Sequence, residues 1–293
     1  MNEFKRFHPL VSLTYFIFAI GYSSVFLNPI CLFLSLFGSI GFMLAMNNKS
    51  KRNLWFFFAI FIVTALFNPI FNHRGLTIIT FLPGGNPLTL ESVLYGFASG
   101  VMLVSVIAYF ACFNEVMTSD KYVYLFGRIA PAVSLILSMT LRFVPRFLKE
   151  LKAVATAQKG IGKGIGNGRM KERIKNALSV LSVTVTWALE NAIETSDSMK
   201  ARGYGLPGRS AFSVFKFTKK DGLVLSAILL SGLYALAGGI YGALKFEFFP
   251  TFKLSEINSY SISVYIAYGI TMFIPLIIEF TEVRRWNALK SKI

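Results

Sequence analysis

The chain has 293 residues, 54% of them hydrophobic and only 15% charged, with 30 Phe. A soluble domain carries roughly 25% charged residues, so this composition excludes an ordinary soluble protein and indicates a polytopic membrane protein. The formal charge of +16 would point to nucleic acid in a soluble chain. Here the excess of Lys and Arg found in cytoplasmic loops accounts for it, and no basic stripe interleaved with stacking aromatics marks a nucleic-acid surface.

Lys5 and Arg6 precede the first apolar run, Val11 to Leu27. That run lacks a small-residue cleavage site and reads as a retained span. Asn28-Pro29 is a turn, and Ile30 to Met46 is the second span. The polar loop 47–53 carries Lys49, Lys51 and Arg52, and a third span runs from Leu54 to about Phe71. A nearly uncharged loop, His73 to Leu90, contains the turn cluster Pro83-Gly84-Gly85-Asn86-Pro87. Thr89 and Ser92 form a capping pattern and Glu91 suits a helix N-terminus, which starts the fourth span, about Ser92 to Phe113.

Residues 114–220 change character, with 18 of the 30 Lys and Arg residues and seven acids. Two apolar patches of about 13 residues interrupt the charge, Ile129 to Leu141 and Ala177 to Leu189. A span needs about 20 residues, so these read as helices at the cytosolic interface, with an extra pair of short spans as the alternative. Between them the glycine run Gly160 to Gly168 reads as a flexible linker, because alternate glycines do not hold a helix. Asp221 to about Leu244 is the fifth span, Lys245 to Ser259 a loop, and Tyr260 to Phe280 the sixth. Arg284, Arg285, Lys290 and Lys292 follow in a basic tail.

The expectation is therefore an all-α polytopic membrane protein of about six transmembrane helices. Residues 1–113 form helices 1–4, residues 114–220 a cytosolic coupling platform, and residues 221–293 helices 5–6 with the tail. Six spans put both termini and the platform on one side, with about 27 of the 30 basic residues. The other side holds Arg74, Lys245 and Lys253. The positive-inside rule makes the crowded side the cytosol.

No Gly-x-Ser-x-Gly, His-Glu-x-x-His or intramembrane carboxylate pair suggests catalysis. The spans are nearly free of the charges that mark ion paths. Cys31 and Cys112 read as small buried hydrophobes. His8 and His73 are expected on opposite sides of the membrane, so no shared metal site is expected. Gly203-x-Gly205-x-x-Gly208 formally matches a dinucleotide fingerprint, but it follows a helix, contains Pro207 and lacks a preceding strand. Gly162-Lys163 is followed by Gly164, not Ser or Thr, and is no phosphate-binding loop. Gly96-x-x-x-Gly100 and Gly238-x-x-x-Gly242 read as close helix contacts.

Two segments are more specific. In Leu141-Arg142-Phe143-Val144-Pro145-Arg146, Arg142 and Arg146 share a helical face at the membrane edge. They either anchor lipid phosphate or form an ion pair with Glu190 or Glu194, and Pro145 is expected to kink the helix. In Met199-Lys200-Ala201-Arg202-Gly203-Tyr204, two small residues flank one long cation at an expected helix end. The small neighbours allow close backbone approach, and Gly203 suits the left-handed turn that ends many helices.

These residues resemble the EcfT/CbiQ family, the T components of energy-coupling factor (ECF) transporters. Leu141 to Pro145 matches the family's Leu-Arg-Phe-x-Pro element, and Ala201-Arg202-Gly203 matches the second of its two Ala-Arg-Gly motifs. Where the family often reads Ala-Gln-x-Ala-Arg-Gly, this chain has Ala157-Gln158-Lys159-Gly160-Ile161-Gly162. Ile161 stands at the Arg position, so Lys159 or Lys163 serves there instead, or the contact is apolar. The resemblance implies two cytosolic ATPase subunits docked at Lys159, Gly160, Ile161, Gly162 and at Ala201, Arg202, Gly203. Arg142, Pro145 and Arg146 would support the platform. It further implies a small membrane S component that binds a vitamin or metal ion. No cofactor is expected on this chain, since the partner ATPases bind ATP, and the location implied is a bacterial plasma membrane. Rival readings are the permease of an ordinary ABC importer, whose coupling loop is short, and a membrane enzyme acting on lipid, which would need clustered acids or metal ligands.

Overall fold

The computed structural model describes residues 3–46, 51–81, 86–166, 168–204, 215–254 and 258–290. The chain divides into two compact units, Met1–Thr118 with Phe215–Ile293, and Ser119–Val214. Residues 1–2, 47–50, 82–85, 167, 205–214, 255–257 and 291–293 lie outside the described set. They include part of the first basic loop, part of the Pro-Gly turn cluster, Gly205, Pro207, Gly208 and Lys292.

Six long helices build the first unit. They are α1 (Pro9–Val25), α2 (Pro29–Met46), α3 (Lys51–Phe71), α4 (Leu90–Val116), α8 (Lys219–Ile240) and α9 (Ser259–Lys290). The local sequence explains their starts. His8 caps α1, its Nδ1 accepting from Leu10 N, and Pro9 supplies a pre-set first residue. Asn28 Oδ1 accepts from Ile30 N at the turn before α2. Thr89 caps α4 by accepting from Ser92 N. Thr218 and Asp221 form a reciprocal capping box at α8.

By length and composition, five helices among the described residues can cross a membrane: α2, α4, α6 (Pro131–Gly160), α8 and α9. The set differs from the six expected spans. α1 and the apolar part of α3 are 17 residues each, one fewer than α2, at the lower end of the ~17–25 residues that cross hydrocarbon. α6 enters because its first half is apolar. α9 also continues through the expected basic tail as far as Lys290.

Two expected loops contain small antiparallel hairpins. β1 (Ile78–Phe81) pairs with β2 (Pro87–Thr89), placing Ile78 opposite Thr89. β3 (Phe246–Glu247) pairs with β4 (Lys253–Leu254), placing Phe246 opposite Leu254. β-branched and aromatic residues on both sides of turn signals favour such pairing. Lys245 bridges Glu247 at 2.7 Å, and that bond and charge hold the Glu247 carboxyl below the usual carboxylate range.

The core of the first unit is aromatic. Phe4, Tyr15, Phe16, Phe42, Tyr109 and Tyr268 are buried together. Hydroxyls join helices across it: Tyr268 to Ser35 at 2.6 Å, Tyr15 to the Met272 carbonyl at 3.2 Å, and Tyr22 to the Gly232 carbonyl. Small residues bring α3 against α4. A Cβ added at Gly96 would meet the Ala65 carbonyl at 2.8 Å, and one at Gly100 would meet the Phe61 ring at 3.0 Å. Gly238 likewise packs on Val264 of α9, whereas a Cβ at Gly242 would meet nothing within 4 Å. Gly242 instead ends α8, with φ +85°.

The second unit contains α5 (Ser119–Ile129), α6 and α7 (Met170–Ala201). The two expected short interfacial helices are parts of much longer ones. Pro131 starts a 30-residue α6 that carries the first patch, and the second patch is the middle of a 32-residue α7. The charges Arg142, Arg146, Lys149 and Lys152 recur every three or four residues. They decorate one side of a continuous helix, which runs past the expected end of the apolar patch at Leu141.

Candidate functional site

α6 and α7 meet at an aromatic crossing. The Phe143 and Trp187 rings stack with centroids 6.0 Å apart and 21° between planes. The Arg146 guanidinium lies 5.6 Å from the Trp187 ring centre, within cation–π range. The expected ion pair from Arg142 or Arg146 to Glu190 or Glu194 is absent among the described residues. The Trp187 ring supplies Arg146 with its partner instead. Pro145 lies inside the helix, one residue from that contact. Trp187 was missed from the sequence; its signal is a lone large aromatic in a run of Val, Thr and Ala.

The two expected docking motifs are the C-terminal ends of α6 and α7, and they share one backbone geometry. At α6, Gly162 has φ +78°. Gly162 N donates to Lys159 O at 3.1 Å and Lys163 N to Gln158 O at 2.9 Å. At α7, Gly203 has φ +75°. Gly203 N donates to Lys200 O at 3.0 Å and Tyr204 N to Met199 O at 3.1 Å. Both are Schellman turns with glycine in the left-handed position. Ile161 and Arg202 are therefore equivalent, each the C-cap residue, with ψ of 19° and 5°. α8 ends the same way, with Gly242 N to Gly239 O at 3.1 Å and Ala243 N to Gly238 O at 2.9 Å. The turn alone is thus common, and what distinguishes the α6 and α7 ends is the side chain each one presents.

Ile161 is 67% exposed. Arg202 is exposed and makes no side-chain ion pair among the described residues; its neighbour Lys200 reaches Asp197 at 3.7 Å. Lys159 is exposed as well. The ends lie on opposite sides of the crossing, since a nine-residue link joins Gly160 to Met170 while Ala201 is the far end of α7. Ile161 is 18 residues from Phe143 and 15 from Arg146, and Arg202 is 15 from Trp187, about 22–27 Å along the helices.

The link is held to α7. Asn176 Nδ2 donates to Gly164 O at 3.2 Å and Arg173 Nε to Ile165 O at 3.2 Å. Arg169 N donates to Glu172 Oε2 at 3.0 Å to start α7. The expected flexible crossing is thus a bonded one over its described residues.

Charge separates the two ends. Residues 142–175 hold ten basic and two acidic residues, and residues 176–204 hold two basic and three acidic. The α6 end is an apolar tip in a basic field. The α7 end is a cation in a mildly acidic one.

Comparison with known proteins bears on this arrangement. Residues 6–213 match the family described as "CbiQ: Cobalt transport protein". Several curated relatives carry the name "Energy-coupling factor transporter transmembrane protein EcfT". The one from Lactobacillus helveticus is 35% identical over 103 residues, covering 34% of this chain and 37% of its own. That from Bacillus subtilis is 33% identical over 103 residues, covering 34% and 39%. That from Bacillus selenitireducens is 29% identical over 111 residues, covering 38% and 41%. The chain thus spans about two-fifths of the length of the curated relatives it matches. The family match covers more than half of the chain and takes in both helix ends, so this membrane protein belongs to the CbiQ/EcfT family.

Proposed function

We propose that the chain is the non-catalytic transmembrane coupling subunit of an ECF-type importer. The α6 and α7 ends dock two cytosolic ATPase subunits, which bind the ATP. Their closing motion passes through the α6–α7 crossing to a small membrane S component that binds a vitamin or metal ion. The chain sits in a bacterial plasma membrane with both termini in the cytosol.

One observation carries this reading: two long helices, joined at an aromatic crossing, end in the same turn and present Ile161 and Arg202 from equivalent positions. Arg is enriched among the residues that dominate interfaces. The opposite charge settings of the two ends support unequal docking surfaces, one acidic around an apolar pocket and one offering a carboxylate to Arg202.

The test is purification of the tagged chain from its native membrane in detergent, with mass spectrometry of co-purifying proteins. Two ATPase chains and a small hydrophobic protein of roughly the size of one domain are expected. Arg202→Glu should insert normally yet lose ATPase and uptake, because truncating a buried interfacial charge pair already costs about 2–5 kcal/mol and reversal adds repulsion. Normal uptake in that variant overturns the docking assignment. ATPases without the small protein favour an ordinary ABC permease, and no ATPase at all favours the membrane-enzyme reading.

A further inference from the structure

An open groove of about 670 Å³ runs along α3 beside Tyr95 of α4, within the ~300–1,000 Å³ usual for small-molecule sites. Val63, Phe67 and Phe71 form its apolar wall. They are spaced four residues apart on one helical face, all exposed, and the Phe67 and Phe71 rings stack at 6.0 Å. Asn68, Asn72, Arg74 and Tyr95 supply its polar groups.

Arg74 is the key residue. It is the sole charged residue between Arg52 and Glu91, and its side chain makes no ion pair or hydrogen bond among the described residues. Its backbone, by contrast, is fixed. Asn72 Oδ1 accepts from Arg74 N at 3.4 Å, and Thr89 Oγ1 donates to Arg74 O at 2.8 Å. Gly75 takes φ +140°, and a Cβ there would lie 2.5 Å from Glu91 Oε2. Glu91 is itself taken up by Thr77, whose Oγ1 donates to Oε1 at 2.8 Å. Tyr95 is braced by Phe248 and Phe249, each 5.4 Å away. A built turn thus holds, at the polar end of an apolar groove, a guanidinium with no side-chain partner among the described residues.

We propose that this groove binds one bilayer phospholipid with a net negative headgroup. The lipid phosphate pairs with Arg74, assisted by the Asn72 amide and the Tyr95 hydroxyl, and one acyl chain lies along Val63, Phe67 and Phe71. A planar guanidinium matches phosphate oxygens two at a time. The lipid tail covers apolar surface that water would cover at a cost. The inference needs only that the chain is a membrane protein and stands apart from the transport reading.

The test is native mass spectrometry of the detergent-purified full chain after exchange into phosphatidylglycerol or phosphatidylcholine. The wild type should retain one phosphatidylglycerol that Arg74→Ala loses, with Arg74→Lys intermediate, and should retain phosphatidylcholine less, because its choline cation offsets the phosphate charge. Arg74→Ala should unfold at the wild-type temperature in phosphatidylcholine, because the Arg74 side chain has no ion pair or hydrogen bond among the described residues. Equal retention of phosphatidylglycerol by wild type and Arg74→Ala overturns the proposal. A photo-crosslinking residue at Phe67 adds a second arm: lipid adducts in native membranes support the site, and a protein adduct overturns it by assigning the groove to another chain.

Discussion

Gly160 and Gly162 sit two residues apart and answer to opposite demands. Gly160 is the last helical residue of α6, and a Cβ added there would meet nothing within 4 Å. Gly162 has φ +78°, where the space is open but the backbone disfavours any L side chain. Gly160→Ala should therefore stabilise the α6 end by about 0.5–1 kcal/mol. Gly162→Ala should cost about 1–2 kcal/mol. Thermal unfolding of the two purified variants checks the pair, and a loss of equal size from both would refute the turn. At this scale the α7 end was legible, because a cation followed by glycine after a helical stretch is a recognisable stop signal. Composition alone left the α6 end open, because a run of alternating glycines hides which one takes the left-handed turn; the motif resemblance put Ile161 at the Arg position, and the positive φ of Gly162 with the bond from Lys163 N to Gln158 O places the turn there.

Helix pairing replaces an expected salt link with a stacked one. Trp187 lies against Phe143 and under Arg146, and an exposed cation–π contact contributes ~0.5–1 kcal/mol. Arg146→Gln should lower the unfolding temperature of the α6–α7 pair, and Trp187→Leu should lower it further by removing both contacts. Glu190→Gln and Glu194→Gln should leave it unchanged, since neither carboxylate pairs with α6. Limited proteolysis across residues 161–169 reads the same ordering. The sequence placed Arg142, Pro145 and Arg146 on one helix by their spacing. It concealed that α6 runs on to Gly160, because a patch bounded by charges looks the same whether the helix ends or merely turns its polar side outward. Periodicity alone also offered no way to choose the Trp187 ring over two nearby carboxylates.

Across the whole molecule, the six apolar segments of the first unit were legible as helices because each is long and uncharged. Their joints were not. The reading of Asp221 as merely the start of a span missed that it is buried and serves two helices. Its carboxylate accepts from His8 N at 3.0 Å, from Thr218 N at 2.8 Å and from Thr218 Oγ1 at 2.6 Å. Residues 213 positions apart have no local pattern that announces such a bond. Asp221→Asn keeps one acceptor oxygen but turns an amide toward the remaining donors. Hydrogen bonds to a charged group contribute roughly 1.5–3 kcal/mol each, so a clear fall in unfolding temperature is expected, with Leu223→Ala, on an exposed residue of the same turn, as the unaffected control. An unchanged unfolding temperature for Asp221→Asn would remove the joint from the account.

That joint sits where the chain re-enters the first unit. Phe217 packs edge-on against the His8 ring at 5.2 Å, and the next turn is tied through Asp221 to the start of α1. Tension applied to the chain at Phe217 is therefore shared between the starts of α1 and α8, like a line made fast at two cleats, where an untied α8 would carry it alone.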